Sequence, residues 1–174
     1  DSARSLAGYS AFEQANSLLT VIESKYKGSF KPAQTLDILT MRSNIQIAQG
    51  NGAAAAETLK KILEQDPING NALTTLAGYY CEIVETNTNG ETVRAPRDFQ
   101  RAVMLLNRAQ DLNDDRAKLR AYTLHARLLV SRQDTDSLRE AVSLLERAQG
   151  IDAQESVAAY IQSIRQAIES RTAR

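Results

Sequence analysis

Hydrophobic positions recur with helical spacing along almost the whole chain. In "RDFQRAVMLLNRAQDLN", residues 97–113, the apolar side chains Phe99, Ala102, Leu106 and Ala109 recur every three or four residues, which is the spacing of one helix face. Alternation of the β type is almost absent, and prolines and glycines separate many of the apolar stretches. The pattern predicts about eight helices joined by mostly short connections. They span residues 3–27, 34–49, 52–65, 70–84, 96–112, 115–132, 136–150 and 153–172.

The stripe around Ala102 occurs in four of these helices. It is matched by Phe12–Ala15–Leu19–Ile22, by Leu138–Ala141–Leu145–Ala148 and, without the first aromatic residue, by Ala55–Leu59–Ile62. The shared alanines are 40, 47 and 39 residues apart, and near-regular spacing of this kind indicates a repeat array. A small residue at a helix crossing lets two backbones approach each other. Leucine at Ala102 would overpack the crossing and cost roughly 1–3 kcal/mol.

A second motif precedes the alanine stripe. In "NALTTLAGYY", Leu73, Leu76, Ala77 and Tyr80 occupy the Trp, Leu, Gly and Tyr positions of the pattern W-x2-L-G-x2-Y. The next helix then supplies the stripe at Ala102. With these features the chain resembles the tetratricopeptide repeat (TPR) family, whose units are helix pairs of about 34 residues.

The resemblance covers most of residues 35–155 and extends to the turns. Asp66 and Pro67 match the turn between repeats, Gly50 matches the turn within a repeat, and a further copy starts at Tyr122. The chain departs from the family pattern because it contains no Trp and because one repeat carries about thirteen extra residues. The resemblance implies an all-α fold, a TPR-like right-handed superhelix of antiparallel helix pairs.

We expect a single TPR-like helical repeat domain over residues 1–174. Its approximate units are a partial repeat at 1–33, repeats at 34–68, 69–115 (with a long insertion loop at 85–96) and 116–152, and a capping helix at 153–172. The Asn-Gly pair in "NTNGET" favours a tight turn. That turn belongs either to an ordinary surface loop or to a loop that reaches over a binding face. The last helix has apolar residues on one side and polar residues elsewhere, as the terminal helix of an array requires.

The resemblance also implies a peptide-binding site, because the first helices of TPR pairs line a concave groove. The positions carried over to this chain are Asn71, Thr74 and Gly78, then Arg120, Thr123 and Arg127, and either Asn44 or Ser43 in the second helix. No lysine occupies these positions, so the family's carboxylate clamp of Lys, Asn and Arg is not reproduced. Arg120 and Arg127 are seven residues apart and share one helix face. We therefore expect a protein or peptide partner that is acidic or that presents a C-terminal carboxylate.

The charge balance argues against nucleic acid as the partner. Lys+Arg and Asp+Glu both number 21, so no net field attracts a polyanion. The balance is uneven along the chain: residues 35–93 carry 3 basic and 7 acidic side chains, and residues 94–139 carry 10 basic and 6 acidic ones. No apolar run approaches the roughly 18 residues that span a bilayer. We expect no membrane insertion.

The candidate chemical groups favour a structural reading. His125 and Cys81 are the only residues of their types; we expect His125 to be a core or half-buried spacer and Cys81 to act as a small hydrophobe. The acidic cluster at Asp111, Asp114 and Asp115 lacks the spacing of a calcium loop, and aspartate is common at helix starts. No nucleophile has a His–acid partner at motif spacing. We expect no catalytic residue, no metal and no cofactor.

The sequence thus favours a protein–protein interaction module, part of a larger protein of bacterial type. The alternative is a structural or self-assembly domain in which terminal helices pack against neighbouring copies, so a homo-oligomer is a second expectation. A third interpretation of the function is an enzyme with an unrecognised site. The chain opens "DSARSLAGYS" without an initiator Met, as a processed protein or a piece of a longer one does. The compartment stays open between the cytoplasm and export after removal of a signal peptide.

Overall fold

The computed structural model describes residues 2–26, 28–88 and 91–172, with side chains described at 11–26, 28–86 and 92–172. The described part is 78% helical and contains eight α-helices, which confirms the all-α part of the predicted fold class and the number of helices. The helices are α1 (Ser2–Lys25), α2 (Pro32–Ala48), α3 (Gly52–Gln65), α4 (Gly70–Cys81), α5 (Phe99–Gln110), α6 (Asp115–Val130), α7 (Thr135–Ile151) and α8 (Glu155–Thr172). Two strands, β1 (Ile83–Thr88) and β2 (Glu91–Pro96), lie between α4 and α5.

The chain divides into two compact units, Asp1–Ala72 and Leu73–Arg174. In the first unit α1 packs against α2, and α2 packs against α3. Gly50 takes a positive φ of +74° in the turn between α2 and α3, a conformation that side chains disfavour. Asn51 then begins α3, since its side chain accepts a hydrogen bond from the backbone N–H of Ala54 (3.2 Å). The matched Gly50 turn is therefore a real helix–helix connection.

In the second unit α5, α6, α7 and α8 pack in sequence order, each against the next. One core cluster lies among α6, α7 and α8 and contains Ala126, Leu129, Leu138, Ala141, Leu144, Leu145, Ile161 and Ile164. Three stripe alanines of this unit, Ala102, Ala109 and Ala141, are at 0% exposure. Complete burial is what the predicted helix crossings require, since a small side chain there lets the backbones approach.

The connection between α4 and α5 differs from the sequence prediction. Residues 85–96 were expected to form a loop, with helices on either side reaching residues 84 and 96. Instead β1 and β2 pair as an antiparallel hairpin in which Ile83 faces Pro96 and Glu85 faces Arg94. The β-branched residues of "IVET" and "ETV" explain the difference, since such residues favour the extended backbone. The predicted turn residues Asn89 and Gly90 lie outside the described residues.

Helix starts follow the capping chemistry of aspartate. The fifth helix is predicted to begin at residue 96, but Pro96 ends β2, and α5 begins after Asp98, whose side chain accepts from the Arg101 N–H (3.0 Å). The seventh helix, α7, begins after Asp134, whose side chain accepts from the Ser137 N–H (2.8 Å). Hydrogen bonds from the backbone and side chain of Ser137 hold the pKa of Asp134 below its usual value.

The last helix has the two-sided pattern that the sequence predicts. Ile161 and Ile164 of α8 are buried against α6 and α7, and the half-buried side chains of Val157, Tyr160 and Ile168 pack against the same cluster. The polar residues Gln162, Arg165, Gln166 and Glu169 are exposed. One face of α8 thus covers α7 and the other meets solvent.

Candidate functional site

A groove of about 300 Å³ lies in the second unit, between the end of α4 and the C-terminal half of α6. One wall consists of Gly78 and Cys81 on α4 together with Glu82 and Ile83 at the start of β1. The other wall consists of Leu124, Arg127 and Leu128 on α6 and of Ser131, the residue that caps its C-terminus. These four residues are spaced i, i+3, i+4 and i+7, so helix geometry places them on one face. We call this site the α4–α6 groove.

The two charged side chains of the α4–α6 groove have different surroundings. The carboxylate of Glu82 forms an ion pair with Arg97 (Oε2–Nη2 3.0 Å), and the Arg97 guanidinium stacks over the Tyr79 ring at 4.3 Å. For Arg127, no carboxylate lies within ion-pair distance anywhere in the part of the chain that the structure describes. Arg127 is exposed. The groove therefore carries a local positive charge beside apolar walls.

Cys81 contributes a neutral, apolar surface to the groove. Burial raises the pKa of its thiol to about 11, and the nearby positive charge of Arg127 opposes that shift without cancelling it. The thiol is therefore protonated at neutral pH, and only the thiolate is a strong nucleophile. This agrees with the expectation that Cys81 acts as a small hydrophobe.

The structure brings only some of the predicted second-unit positions to this groove. Gly78 and Arg127 line it, whereas Arg120 is exposed on α6 outside its lining. Thr74 is 1% exposed, so its side chain lies in the core rather than on a binding surface. The hydroxyl of Thr123 donates to the backbone carbonyl of Leu119 (2.8 Å), so its proton already forms a hydrogen bond within α6. The apolar and acidic lining residues were not predicted from the sequence.

Asn44 and Asn71 belong to the first unit, Asp1–Ala72. Both are exposed. The alternative to Asn44 was Ser43, which is 2% exposed and whose hydroxyl donates to the Thr40 carbonyl (2.9 Å). Of the two alternative residues in α2, Asn44 is therefore the one that presents a polar side chain to solvent.

His125 is a buried core residue, as one of the sequence readings expected. It is 4% exposed, and its Nδ1 lies 3.0 Å from Nε2 of Gln110 on α5. Burial lowers the pKa of His125, and the negative charge of Glu140 acts in the opposite direction. A neutral imidazole fits this geometry, since the Gln110 amide can donate to Nδ1. His125 thus connects α5 to α6 within the core.

The acidic cluster after α5 serves a helix start. Asp114 accepts hydrogen bonds from the backbone N–H groups of Arg116 (3.0 Å) and Ala117 (3.1 Å), which is the N-cap role that the sequence suggested for this cluster. Across the residues with described side chains, no group of three or more His, Cys, Asp or Glu could hold a metal ion. Over the same residues, no helix combines the length and apolarity needed to cross a bilayer.

Comparison of the chain with protein-family models gives no match, and neither curated proteins nor solved structures match it. The resemblance to the TPR family therefore rests on the residues quoted above.

Proposed function

We propose that the chain is a protein-interaction module of the TPR type, and that the α4–α6 groove binds an extended peptide segment that carries a carboxylate. The observation that carries this proposal is Arg127, a cation without a described carboxylate partner in the wall of a largely apolar groove. The sequence-based expectation named Arg120 together with Arg127. The proposal now rests on Arg127 alone.

The chemistry of the two walls sets what the groove recognises. A guanidinium group binds a carboxylate through two parallel N–H···O bonds, which fix the orientation of the ligand as well as its charge. Beside Arg127, the side chains of Leu124 and Leu128 offer apolar surface, whose burial contributes roughly 25 cal/mol per Å². The volume of about 300 Å³ accommodates a short peptide segment and not a folded domain. The ligand is therefore a carboxylate next to an apolar side chain.

The helix pairing supports the TPR part of the proposal. In that family the first helix of each pair faces the groove, and here α4 and α6 carry the motif positions Leu73, Leu76 and Tyr80 and the further copy at Tyr122. The pairs α2–α3 and α6–α7 each pack closely. We further propose that the module binds without catalysing a reaction, since the Cys81 thiol is protonated and His125 is enclosed between α5 and α6.

Binding to peptide libraries tests the proposal. One library carries free C-terminal carboxylates, and a second carries the same sequences as C-terminal amides. We expect selection of peptides with a terminal or side-chain carboxylate. Replacing Arg127→Ala removes a charged hydrogen bond of about 1.5–3 kcal/mol, which corresponds to a roughly tenfold to hundredfold loss of affinity. Arg120→Ala is the matched control, because it removes the same side chain from the same helix outside the groove.

The single cysteine locates the binding event. Because Cys81 lines the groove and is the only cysteine, a selected peptide should slow its alkylation by a small reagent at alkaline pH. Equal losses in Arg127→Ala and Arg120→Ala, or full binding without protection of Cys81, would place the site elsewhere on the molecule.

A further inference from the structure

The stripe shared by four helices lets α1 be compared with α3, α5 and α7 residue by residue. Aligning the alanines Ala15, Ala55, Ala102 and Ala141 puts Leu18 at the position of Thr58, Leu105 and Leu144. The three equivalents are 6%, 4% and 6% exposed, whereas Leu18 is 60% exposed. One position beside the stripe is therefore covered in three copies and open in the fourth.

Helices cover this position where it is buried. The hydroxyl of Thr58 donates to Oε1 of Gln46 on α2 (2.8 Å), so in α3 the position faces the preceding helix. In α7, Leu144 belongs to the core cluster that also contains Leu129 of α6 and Ile161 of α8. The open position on α1 thus has the chemistry of a helix–helix contact.

The next position along α1 strengthens this reading. Val21 is 57% exposed, and its equivalents in the other three copies are the exposed basic residues Lys61, Arg108 and Arg147. The chain therefore uses a cation where this position faces solvent and an apolar residue in α1 alone among the four. A valine in that place is suited to burial.

The exposed positions Ala11, Gln14, Leu18 and Val21 form a seam with 3-4-3 spacing. We call them the α1 seam. Such spacing is typical of the narrow stripe along which two helices pack. No member of the seam is charged. These four positions, apolar at the centre and without charge, suit contact with an identical surface, and the next position of the same spacing is Lys25.

We propose that the α1 seam packs antiparallel against the α1 seam of a second copy, as a two-fold symmetric helix pair. In this arrangement Leu18 lies opposite Val21 of the second copy, and the same contact recurs by symmetry. Gln14 then lies opposite Lys25 of the second copy, while a parallel pair would bring the two Lys25 ammonium groups together. The surface lies in the first unit, so the proposal is independent of peptide binding at the α4–α6 groove.

Sedimentation velocity and light scattering between about 1 µM and 1 mM protein test the pairing. We expect the mass to rise from one copy to two with concentration. The double variant Leu18→Glu with Val21→Glu places like charges opposite each other and should weaken the association at least about tenfold. The control is Met104→Glu, which changes an equally exposed apolar residue (54%) on α5 and should dimerise like the wild type. Circular dichroism checks that each variant keeps its helices.

Cross-linking distinguishes the orientation of the pair. In a Cys81→Ser background, mixing the Leu18→Cys and Val21→Cys proteins should give more disulfide-linked dimer than either protein alone. A wild type that stays a single copy at every concentration overturns the proposal. So does a dimer that survives the double glutamate variant, or equal cross-linking in the mixed and unmixed samples.

Discussion

The helices α7 and α1 carry the same stripe in different surroundings. In α7 the stripe residues Leu138, Ala141, Leu145 and Ala148 are all at most 2% exposed. In α1 only Leu19 is buried, at 7%, and the other three stripe residues are half-buried. The difference follows from the neighbours, because α7 packs between α6 and α8 and α1 packs chiefly against α2. A stripe of this kind predicts that a helix will be buried, and the number of adjacent helices decides how far.

Polar groups show the same contrast. Where α1 meets α2, Arg42 forms an ion pair with Glu23 (2.5 Å), yet its Nε and the Oδ1 of Asn16 are buried without a hydrogen-bond partner among the described residues. Where α7 meets α8, the corresponding ion pair of Arg165 with Glu146 (2.5 Å) lies at the surface. Unpartnered buried polar atoms cost free energy, so we expect the α1–α2 contact to contribute less stability than the α7–α8 contact.

Removing α8 should have the largest effect, because it leaves α7 with one neighbouring helix, as α1 has. Deleting residues 153–174 uncovers the cluster that contains Leu144 and Leu145. Large exposed apolar patches promote association between molecules. We expect aggregation and a melting temperature several degrees lower, measured by light scattering and calorimetry. A monomeric truncated protein with an unchanged melting temperature would contradict the capping role of α8.

Matched leucine truncations measure the same contrast without deleting a helix. Leu145→Ala removes a side chain that is 1% exposed, and such changes cost about 2–5 kcal/mol. Leu19→Ala removes the equivalent side chain of α1, whose neighbours are half-buried, so we expect less than half of that loss. Urea denaturation followed by circular dichroism, with hydrogen exchange to report each unit, gives the two values. Equal losses would mean that α1 is as well packed as α7.

The sequence predicts the helical parts of the molecule well, because burial along a helix leaves a periodic record. The stripes and the turn at Gly50 are local features, and each was found where it was expected. The hairpin was missed because its signal is short. Two runs of β-branched residues beside an Asn-Gly pair also fit an irregular loop, and the strong helical periodicity on both sides outweighed them.

The candidate groove was harder to predict because it depends on contacts between distant residues. Arg127 was identified from its position in the motif, but the sequence does not show that Arg97 forms an ion pair with the carboxylate of Glu82. It also does not show that Thr74 points into the core, since threonine is common both on helix surfaces and inside them. A position in a repeat motif indicates a helix face, and tertiary packing decides which of its residues remain available.

Enlarging the stripe alanines tests the idea that they mark close helix crossings. Ala141→Leu adds three carbons at a site with 0% exposure, which should cost roughly 1–3 kcal/mol by overpacking. Ala15→Leu makes the same change in α1, where the position is half-buried, and we expect little loss. Chemical denaturation of both variants measures the difference. If Ala141→Leu is as stable as the wild type, the space around residue 141 can hold a leucine and the alanine does not mark a close helix crossing.

Acidification should lower the stability of the second unit more than that of the first, because the only histidine lies in the second unit. We expect this effect to be smaller than those of the substitutions above. Burial lowers the folded-state pKa of His125 below 6.5, so between that lowered value and about 6.5 the unfolded chain binds a proton that the folded chain does not. By linkage, the stability due to neutral His125 is complete above about pH 6.5 and declines as the pH falls toward the folded pKa.

Hydrogen exchange at pH 7 and pH 5.5, corrected for the intrinsic exchange rate, should show α5 and α6 losing protection. The matched variant is His125→Gln, whose side-chain oxygen can still accept from Gln110, and it should remove the histidine's share of the loss. If α5 and α6 respond to pH equally in both proteins, the neutral imidazole between these helices makes no contribution to their stability.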